Sequence, residues 1–179
     1  MHQRGLTLIE LLTALTLVGL LAHLAMPSLG ALINSNRQQV AADELLVALR
    51  AARTEAIVRH QPVILQPLEG DWRFGWRMIA DISGRGLNDP DNPVLVVRQK
   101  GGNVRVVANT RLEKWVRFSA LGVPSYAGAA PGNGSLYVCE RGAGKMHSRV
   151  VVAPVGRIRL ANDAGDSGDL CALADGLDA

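Results

Sequence analysis

The chain has 179 residues, a formal net charge of +3, two cysteines and four histidines. So small a net charge does not by itself indicate a partner, and the histidines lie far apart, without metal-ligand spacing. The length leaves one coherent soluble portion of about 120 residues, so a single domain without internal repeats is predicted.

The first element is an apolar run from Leu6 to Met26 that follows Arg4 and Gly5 and contains a single acid, Glu10. As a helix it rises ~30 Å, about the thickness of the hydrocarbon core of a membrane. Because a basic flank stays on the cytoplasmic side, we predict one membrane crossing with the rest of the chain exported. A lone carboxylate at that depth is costly and indicates a function.

The position of the small residue separates this run from an ordinary secretory signal, in which a small-x-small site follows the apolar core. Here Gly5 precedes the core, and residues 5–10 resemble a class III (type IV prepilin) signal. The resemblance implies that prepilin peptidase cleaves between Gly5 and Leu6 and methylates the new N-terminus. Prepilins more often have phenylalanine at the position of Leu6. The alternative is a simple anchor in which Glu10 has no role.

Cleavage gives Glu10 a partner. A mature chain that begins at Leu6 places this carboxylate within reach of the terminal ammonium of a neighbouring subunit. Such an ion pair in lipid fixes the axial register, because loss of either partner leaves a charge unpaired. We therefore predict an assembly salt bridge through Glu10.

The next segment reads as a continuation of the same helix. Pro27 predicts a bend, and apolar residues then recur at spacings of three and four from Ala42 to Ala56, with Arg50 and Arg53 among the charged residues on other faces. One helix is predicted from Leu6 to about residue 59. The predicted organisation is a leader at 1–5, a membrane and filament-core helix at 6–27, and a periplasmic pilin-like domain at 28–179.

Strands and turns are predicted for the remainder, with loops at 84–93 and 122–134. The alternation of Trp72, Phe74 and Trp76 with polar residues predicts one buried face. A long helix followed by strands resembles the pilin architecture, an α+β fold in which the helix packs on antiparallel β-sheets. The predicted strands are Val63–Leu68, Trp72–Ala80, Val94–Arg98, Val104–Ala108, Trp115–Ser119, Leu136–Cys139, Arg149–Ala153 and Arg157–Leu160.

Both cysteines, Cys139 and Cys171, fall on the exported side of the predicted membrane segment. An oxidising compartment makes a disulfide between them the prediction. Two unpaired thiols are the alternative.

Charge is segregated near the C-terminus. Residues 141–160 contain five Lys or Arg and no acid, whereas residues 161–179 contain five Asp and no base. Within the basic part, alternation along a strand places Arg157 and Arg159 on one face, ~6.8 Å apart. Two guanidinium groups at this spacing can bind successive phosphates of a nucleic acid. The alternative is an ordinary solvated face, and the acidic tail could screen the site.

Four segments narrow the family: Trp72–Asp81, Val116–Gly122, Gly134–Cys139 and Arg149–Arg159 resemble, in that order, FimT/GspH-type minor pilins and pseudopilins. In FimT-like minor pilins the Gly-Arg-x-Arg sequence is implicated in binding extracellular DNA during natural transformation. The resemblance implies DNA contacts by Arg157 and Arg159, with Lys145 and Arg149 as flanks.

The partners that the resemblance implies are other major and minor pilins, prepilin peptidase, the bacterial inner membrane and, without sequence preference, DNA. Three roles stay open: a minor type IV pilin that captures DNA, a FimU-like subunit that primes assembly without binding DNA, and a purely structural minor pseudopilin of type II secretion.

No catalytic residues, cofactor or metal are predicted, since no Ser-His-Asp or Cys-His arrangement can be argued from the order of residues. Asp89 and Asp91 lie in a proline-containing loop of the kind that holds calcium in some pseudopilins. They lack the regular spacing of oxygen ligands and a closing glutamate.

Overall fold

The computed structural model describes residues 7–86, 89–99, 104–127, 132–140, 146–161 and 170–173, without the side chains of residues 22 and 24–28. Helix α1 comes first, and the strands follow it. The elements are α1 (Leu8–Arg59), β1 (Val63–Leu68), β2 (Asp71–Ala80), β3 (Val94–Gln99), β4 (Arg105–Ala108), β5 (Val116–Phe118), β6 (Pro124–Tyr126), β7 (Gly134–Cys139), β8 (Met146–Val152) and β9 (Ile158–Ala161).

Helix α1 ends at Arg59, as predicted, and its end has a clear local cause. His60 adopts a left-handed conformation with φ of 52°. The amide of His60 donates to the carbonyl of Ile57, and the amide of Gln61 donates to that of Ala56, both at 3.2 Å. This pair of bonds is a Schellman motif, which satisfies the last carbonyls of a helix, and Pro62 prevents its continuation.

The chain divides into two units, residues 1–36 and 37–179. In the first unit, helical backbone continues through residue 27, and the bend at Pro27 stays a prediction. Every side chain from residue 8 to residue 21 is exposed, including Leu8 at 78% and Val18 at 63%. Among the described residues, no helix combines the length and the apolar character needed to cross a membrane.

In the second unit, one face of α1 forms the centre of the hydrophobic core. Its buried residues recur at the predicted spacing of three and four, and many are alanines that let the sheets approach closely. Phe118 from β5 and Leu136 from β7 are both fully buried against this face, so the helix packs on strands of two sheets. The buried apolar residues of the helix are Ala41, Ala42, Leu45, Ala48, Leu49, Ala52 and Ala56.

Both sheets consist of antiparallel strand pairs. The first has the order β3-β2-β1-β5-β6, and the second has the order β4-β7-β8-β9. In the second sheet, Val150 and Val152 of β8 face the core and pair with Leu160 and Ile158 of β9. The predicted α+β fold, a long helix on antiparallel sheets, is therefore confirmed.

Two details of the prediction are wrong. Residues Pro124–Tyr126 form strand β6 inside a segment predicted to be a loop, because these three residues pair with β5. Phe74 was expected in the core but is 39% exposed, whereas Trp72 and Trp76 are buried. The ladder between β1 and β2 shifts register between Pro67 and Leu68, which breaks the two-residue alternation at this point.

Candidate functional site

The first candidate site lies at the start of α1. The amide of Glu10 donates to the hydroxyl oxygen of Thr7 (3.4 Å), and the amide of Thr7 donates to the Glu10 carboxylate (3.5 Å). These reciprocal contacts form a capping box, and the negative charge lies at the positive end of the helix dipole. The carboxylate is exposed. The predicted cleavage residues Gly5 and Leu6 lie outside the described residues.

The second candidate site is the hairpin of β8 and β9. The amide of Gly156 donates to the carbonyl of Ala153 (2.8 Å), and the amide of Ala153 donates to the carbonyl of Arg157 (2.9 Å). Pro154 suits the second position of a type I turn, and Gly156 has φ of +81°. The result is a three-residue hairpin loop that ends in a left-handed glycine.

The hairpin places the two predicted arginines on the surface. Ile158 is buried in the core, and Arg157 and Arg159 on either side of it are exposed. Because side chains alternate along a strand, both arginines lie on the face opposite the core. The structure thus brings Arg157 and Arg159 together as the alternation predicted.

The predicted flanking residues differ in how available they are. Arg149 pairs with Ala161, and Arg159 pairs with Val151, so the two arginines are diagonal neighbours on the outer face of the second sheet. Arg149 is half-buried and already takes part in an interaction of its own. Lys145 lies outside the described residues. Of the four predicted DNA-binding residues, Arg157 and Arg159 are therefore the two whose side chains the structure shows exposed.

Two arginines predicted on the outer faces of α1 contact this region. The Nε–H of Arg53 donates to the carbonyl oxygen of Gly122 (3.0 Å), and an Nη2–H of Arg50 donates to that of Ile158 (3.2 Å). Arg50 thereby occupies an acceptor on β9, which is an edge strand of its sheet. A spacing of three places both arginines on one side of the helix. No sequence signal identifies their acceptors, which lie 108 and 69 residues away for Arg50 and Arg53.

The structure joins Cys139 and Cys171 in a disulfide with Cα atoms 5.7 Å apart. Both are buried and pack with Tyr137 on the side of the second sheet opposite the main core. The side-chain amide of Gln38 donates to the carbonyl of Cys139 (3.4 Å). The disulfide therefore ties residues 170–173 to strand β7, next to the basic hairpin.

The loop between β2 and β3 is organised around the buried carboxylate of Asp81. It accepts from the Nε–H of Arg117 (2.8 Å), the amide of Gly86 (3.0 Å) and the side-chain amide of Asn92 (3.2 Å). Hydrogen bonds from the Ser83 side chain and the Asp91 amide lower the pKa of Asp89. Within the described ranges, no three His, Cys, Asp or Glu residues are grouped as metal ligands would be.

Comparisons with known proteins agree on one family. Residues 41–156 match the family model described as type II transport protein GspH, and residues 1–26 match the prokaryotic N-terminal methylation motif. The first match includes Gly156 but ends before Arg157 and Arg159. The chain is 31% identical to the pilin-like protein PilA1 of Thermus thermophilus over 163 residues, covering 89% of this chain and 99% of that protein.

The fold is similar to that of a solved minor pilin. Two crystal structures of the type IV minor pilin FimU from Pseudomonas aeruginosa match with TM-scores of 0.55 and 0.54, both at 21% identity. They cover 70% and 69% of this chain and 89% and 91% of the FimU chains. This likeness confirms the predicted pilin fold.

The methylation motif and the family match together indicate how subunits of this kind are processed, anchored and assembled. The motif belongs to subunits that prepilin peptidase processes, that are anchored in the inner membrane and that assemble with other pilins. These families consist of structural subunits rather than enzymes. The chain therefore belongs to the FimT/GspH family of minor type IV pilins and pseudopilins.

Proposed function

We propose that this protein is a minor type IV pilin that takes part in pilus assembly and also binds extracellular DNA without sequence preference during natural transformation. In this proposal prepilin peptidase cleaves between Gly5 and Leu6 and methylates Leu6. Residues 6–27 cross the inner membrane once, residues 28–179 form the periplasmic domain, and Glu10 forms the assembly salt bridge. The mature subunit is incorporated into the pilus and plays a structural role without catalysis.

Exposed apolar side chains support the membrane and filament part of the proposal. From residue 8 to residue 21 every side chain of the helix is exposed, and most are apolar. Burying apolar surface is favourable by about 25 cal/mol per Å², so these residues are better covered by lipid or by neighbouring subunits than by water. The capping contacts of Glu10 keep its charge at the helix start, where a terminal ammonium would meet it.

The basic hairpin of β8 and β9 is the observation that carries the DNA-binding part. Arg159 lies on the edge strand β9 and Arg157 directly precedes this strand, and both side chains are exposed. Guanidinium groups bind phosphate oxygens through two parallel hydrogen bonds, and a strand repeats its side chains at ~6.8 Å, near the spacing of successive phosphates. Contacts to phosphates position a protein on DNA but carry no sequence information, so binding without sequence preference is expected.

Salt dependence tests this proposal. The full chain is purified in a nonionic detergent, and its affinity for a labelled DNA duplex is measured at several salt concentrations. Three to five phosphate contacts predict a log-log slope of about −3 to −4.5 and a Kd of roughly 10⁻⁴–10⁻⁶ M. The Arg157→Ala/Arg159→Ala double variant should bind more weakly, with a slope smaller in magnitude by about 1.8.

A matched variant controls for the loss of two positive charges. Arg85 and Arg98 are exposed and belong to the part of the chain that forms the first sheet. The Arg85→Ala/Arg98→Ala variant should keep the slope and most of the affinity of the unmodified protein. Unchanged DNA binding by the Arg157→Ala/Arg159→Ala variant would overturn the DNA-binding proposal.

The second candidate is a minor pseudopilin of a type II secretion system, which is structural and does not bind DNA. The description of the matched family model, type II transport protein GspH, favours it. A deletion strain distinguishes the two candidates, because loss of protein secretion with normal pili indicates the pseudopilin. Loss of transformation or of twitching motility with normal secretion indicates the minor pilin. A FimU-like assembly role is indicated when pili are lost and the purified protein does not bind DNA.

A further inference from the structure

Two hairpin turns of the same type meet beside α1. In the turn between β5 and β6, the amide of Gly122 donates to the carbonyl of Ser119 (2.8 Å), and the amide of Ser119 donates to that of Val123 (3.0 Å). Gly122 has φ of +73°. The turn between β8 and β9 repeats this pattern, with Gly156 in the place of Gly122. The first turn belongs to one sheet and the second turn belongs to the other.

The two glycines allow the turns to touch. A Cβ atom on Gly156 would collide with the carbonyl oxygen of Gly122 and would lie 2.9 Å from Nε of Arg53. A Cβ atom on Gly122 would lie 3.0 Å from the same nitrogen. Arg53 therefore lies against both turns at once.

The hydrogen bond from Arg53 holds this contact. Gly122 is buried, so its carbonyl oxygen needs a donor within the protein. Arg53 supplies one at 3.0 Å from Nε. Gly156 packs on this same carbonyl. The hydrogen bond therefore fixes the position of the turn that immediately precedes Arg157.

We propose that Arg53 is a positioning residue: its hydrogen bond to Gly122 holds the two turns together and so keeps Arg157 and Arg159 in the geometry that binds DNA. This inference rests on the proposed DNA-binding function. Arg53 itself is half-buried and contributes through the turn, whereas the two exposed arginines contact the phosphates. Binding improves when side chains are held in place beforehand, because less conformational entropy is lost on association.

Two substitutions separate positioning from charge. In glutamine, the side-chain nitrogen is the same number of bonds from the backbone as Nε of arginine. Arg53→Gln therefore keeps a donor for the Gly122 carbonyl while it removes the charge. Arg53→Met keeps an unbranched side chain out to the position of Nε but removes both the donor and the charge. The matched control is Arg59→Met, which removes one charge from an exposed position on the same helix.

DNA affinity of the full chain in nonionic detergent is measured for these variants as a function of salt. Arg53→Met should bind DNA about fivefold more weakly. This loss of affinity corresponds to the net free energy that one hydrogen bond contributes. Arg53→Gln and Arg59→Met should bind within about twofold of the unmodified protein. Equal weakening by Arg53→Gln and Arg53→Met, with the salt slope reduced by about 0.9 in both, would instead make Arg53 a direct phosphate ligand and would overturn the proposal.

Gly156→Ala gives an independent measurement that keeps every charge. Its added methyl group separates the turns, and we expect weakening similar to that of Arg53→Met; binding at the level of the unmodified protein would contradict the positioning role even if Arg53→Met does not fold. Arg157→Ala/Arg159→Ala is measured alongside. Normal binding by that variant refutes the proposed function, whereas its loss together with normal binding by Arg53→Met refutes only the role of Arg53.

Discussion

At the scale of single residues, Tyr126 joins the two sheets through one phenol group. Its hydroxyl donates to the carbonyl oxygen of Val152 at 3.1 Å, so strand β6 of the first sheet is bonded to strand β8 of the second. Burial raises the pKa of Tyr126 above its ordinary value of 10.0. The neutral phenol is therefore the form that the folded protein favours, since only this form can donate the hydrogen bond.

The raised pKa predicts a pH dependence of stability. The contribution of Tyr126 is fully present below pH 10.0 and declines as the pH rises through the higher pKa of the folded state. Tyr126→Phe should lower the free energy of unfolding by about 0.5–1.5 kcal/mol at neutral pH, and this difference should shrink above pH 10. Urea unfolding followed by tryptophan fluorescence measures it, because Trp72, Trp76 and Trp115 all lie in the unit formed by residues 37–179.

The unmodified protein and the Tyr126→Phe variant share every other titrating group. The difference between their free energies of unfolding therefore isolates the contribution of Tyr126. A difference that stays constant or grows between pH 9 and pH 11.5 would contradict the assigned cause of the pKa shift.

At the scale of elements, the sequence predicted those features that depend on local patterns. The helix end follows from Pro62 and the spacing of apolar residues, and each of the eight predicted strands overlaps an observed one. Strand β6 has three residues, too few to show a periodicity, and forms because β5 is beside it. Exposure of Phe74 depends on a register shift between two strands, which the alternation within one strand does not reveal.

In the candidate site, too, some features follow from local sequence patterns and others depend on long-range contacts. Exposure of Arg157 and Arg159 follows from alternation within a strand. The roles of Arg50 and Arg53 depend on acceptors 108 and 69 residues away, which only the folded chain brings close. Local patterns therefore predict which side chains are presented, whereas long-range contacts determine how they are held.

The disulfide is an element-scale link whose contribution can be measured. Cys139 and Cys171 are 32 residues apart, and closing a loop of this length stabilises the fold by roughly 3.7 kcal/mol in the chain-entropy model. Reduction of the protein, or the Cys139→Ser/Cys171→Ser variant, should lower the free energy of unfolding by about 3–4 kcal/mol in urea.

The serine variant is its own control, because a reducing agent should leave its unfolding curve unchanged. Equal midpoints for the oxidised and the reduced protein would contradict a stabilising role for the bond. Hydrogen exchange at residues 170–173 adds a local measurement, since these residues are tied to β7 through Cys171. Their exchange should accelerate on reduction.

At the scale of the whole molecule, the chain has one unit that exposes apolar side chains and one that buries them. Residues 8–21 leave all side chains exposed, whereas the second unit has a continuous core of helix and sheet residues. A chain of this kind reaches its lowest free energy only when the first unit is covered by lipid or by other subunits. Under the proposed function, incorporation into a filament, rather than folding, is therefore the property that the first unit is expected to control.

Glu10 provides the test of that property. In the filament, its carboxylate is expected to meet the terminal ammonium of a neighbouring subunit, and loss of one partner of a buried ion pair costs about 3–5 kcal/mol. Glu10→Ala should therefore reduce incorporation into sheared pili by at least about tenfold, while the amount in the membrane fraction stays unchanged. Thr13→Ala is the matched control, because its hydroxyl donates only to the carbonyl of Glu10 in its own helix (3.0 Å) and should not affect assembly. Filaments that contain Glu10→Ala in normal amounts would show that this carboxylate has no role in assembly, and the salt-bridge proposal would then be wrong.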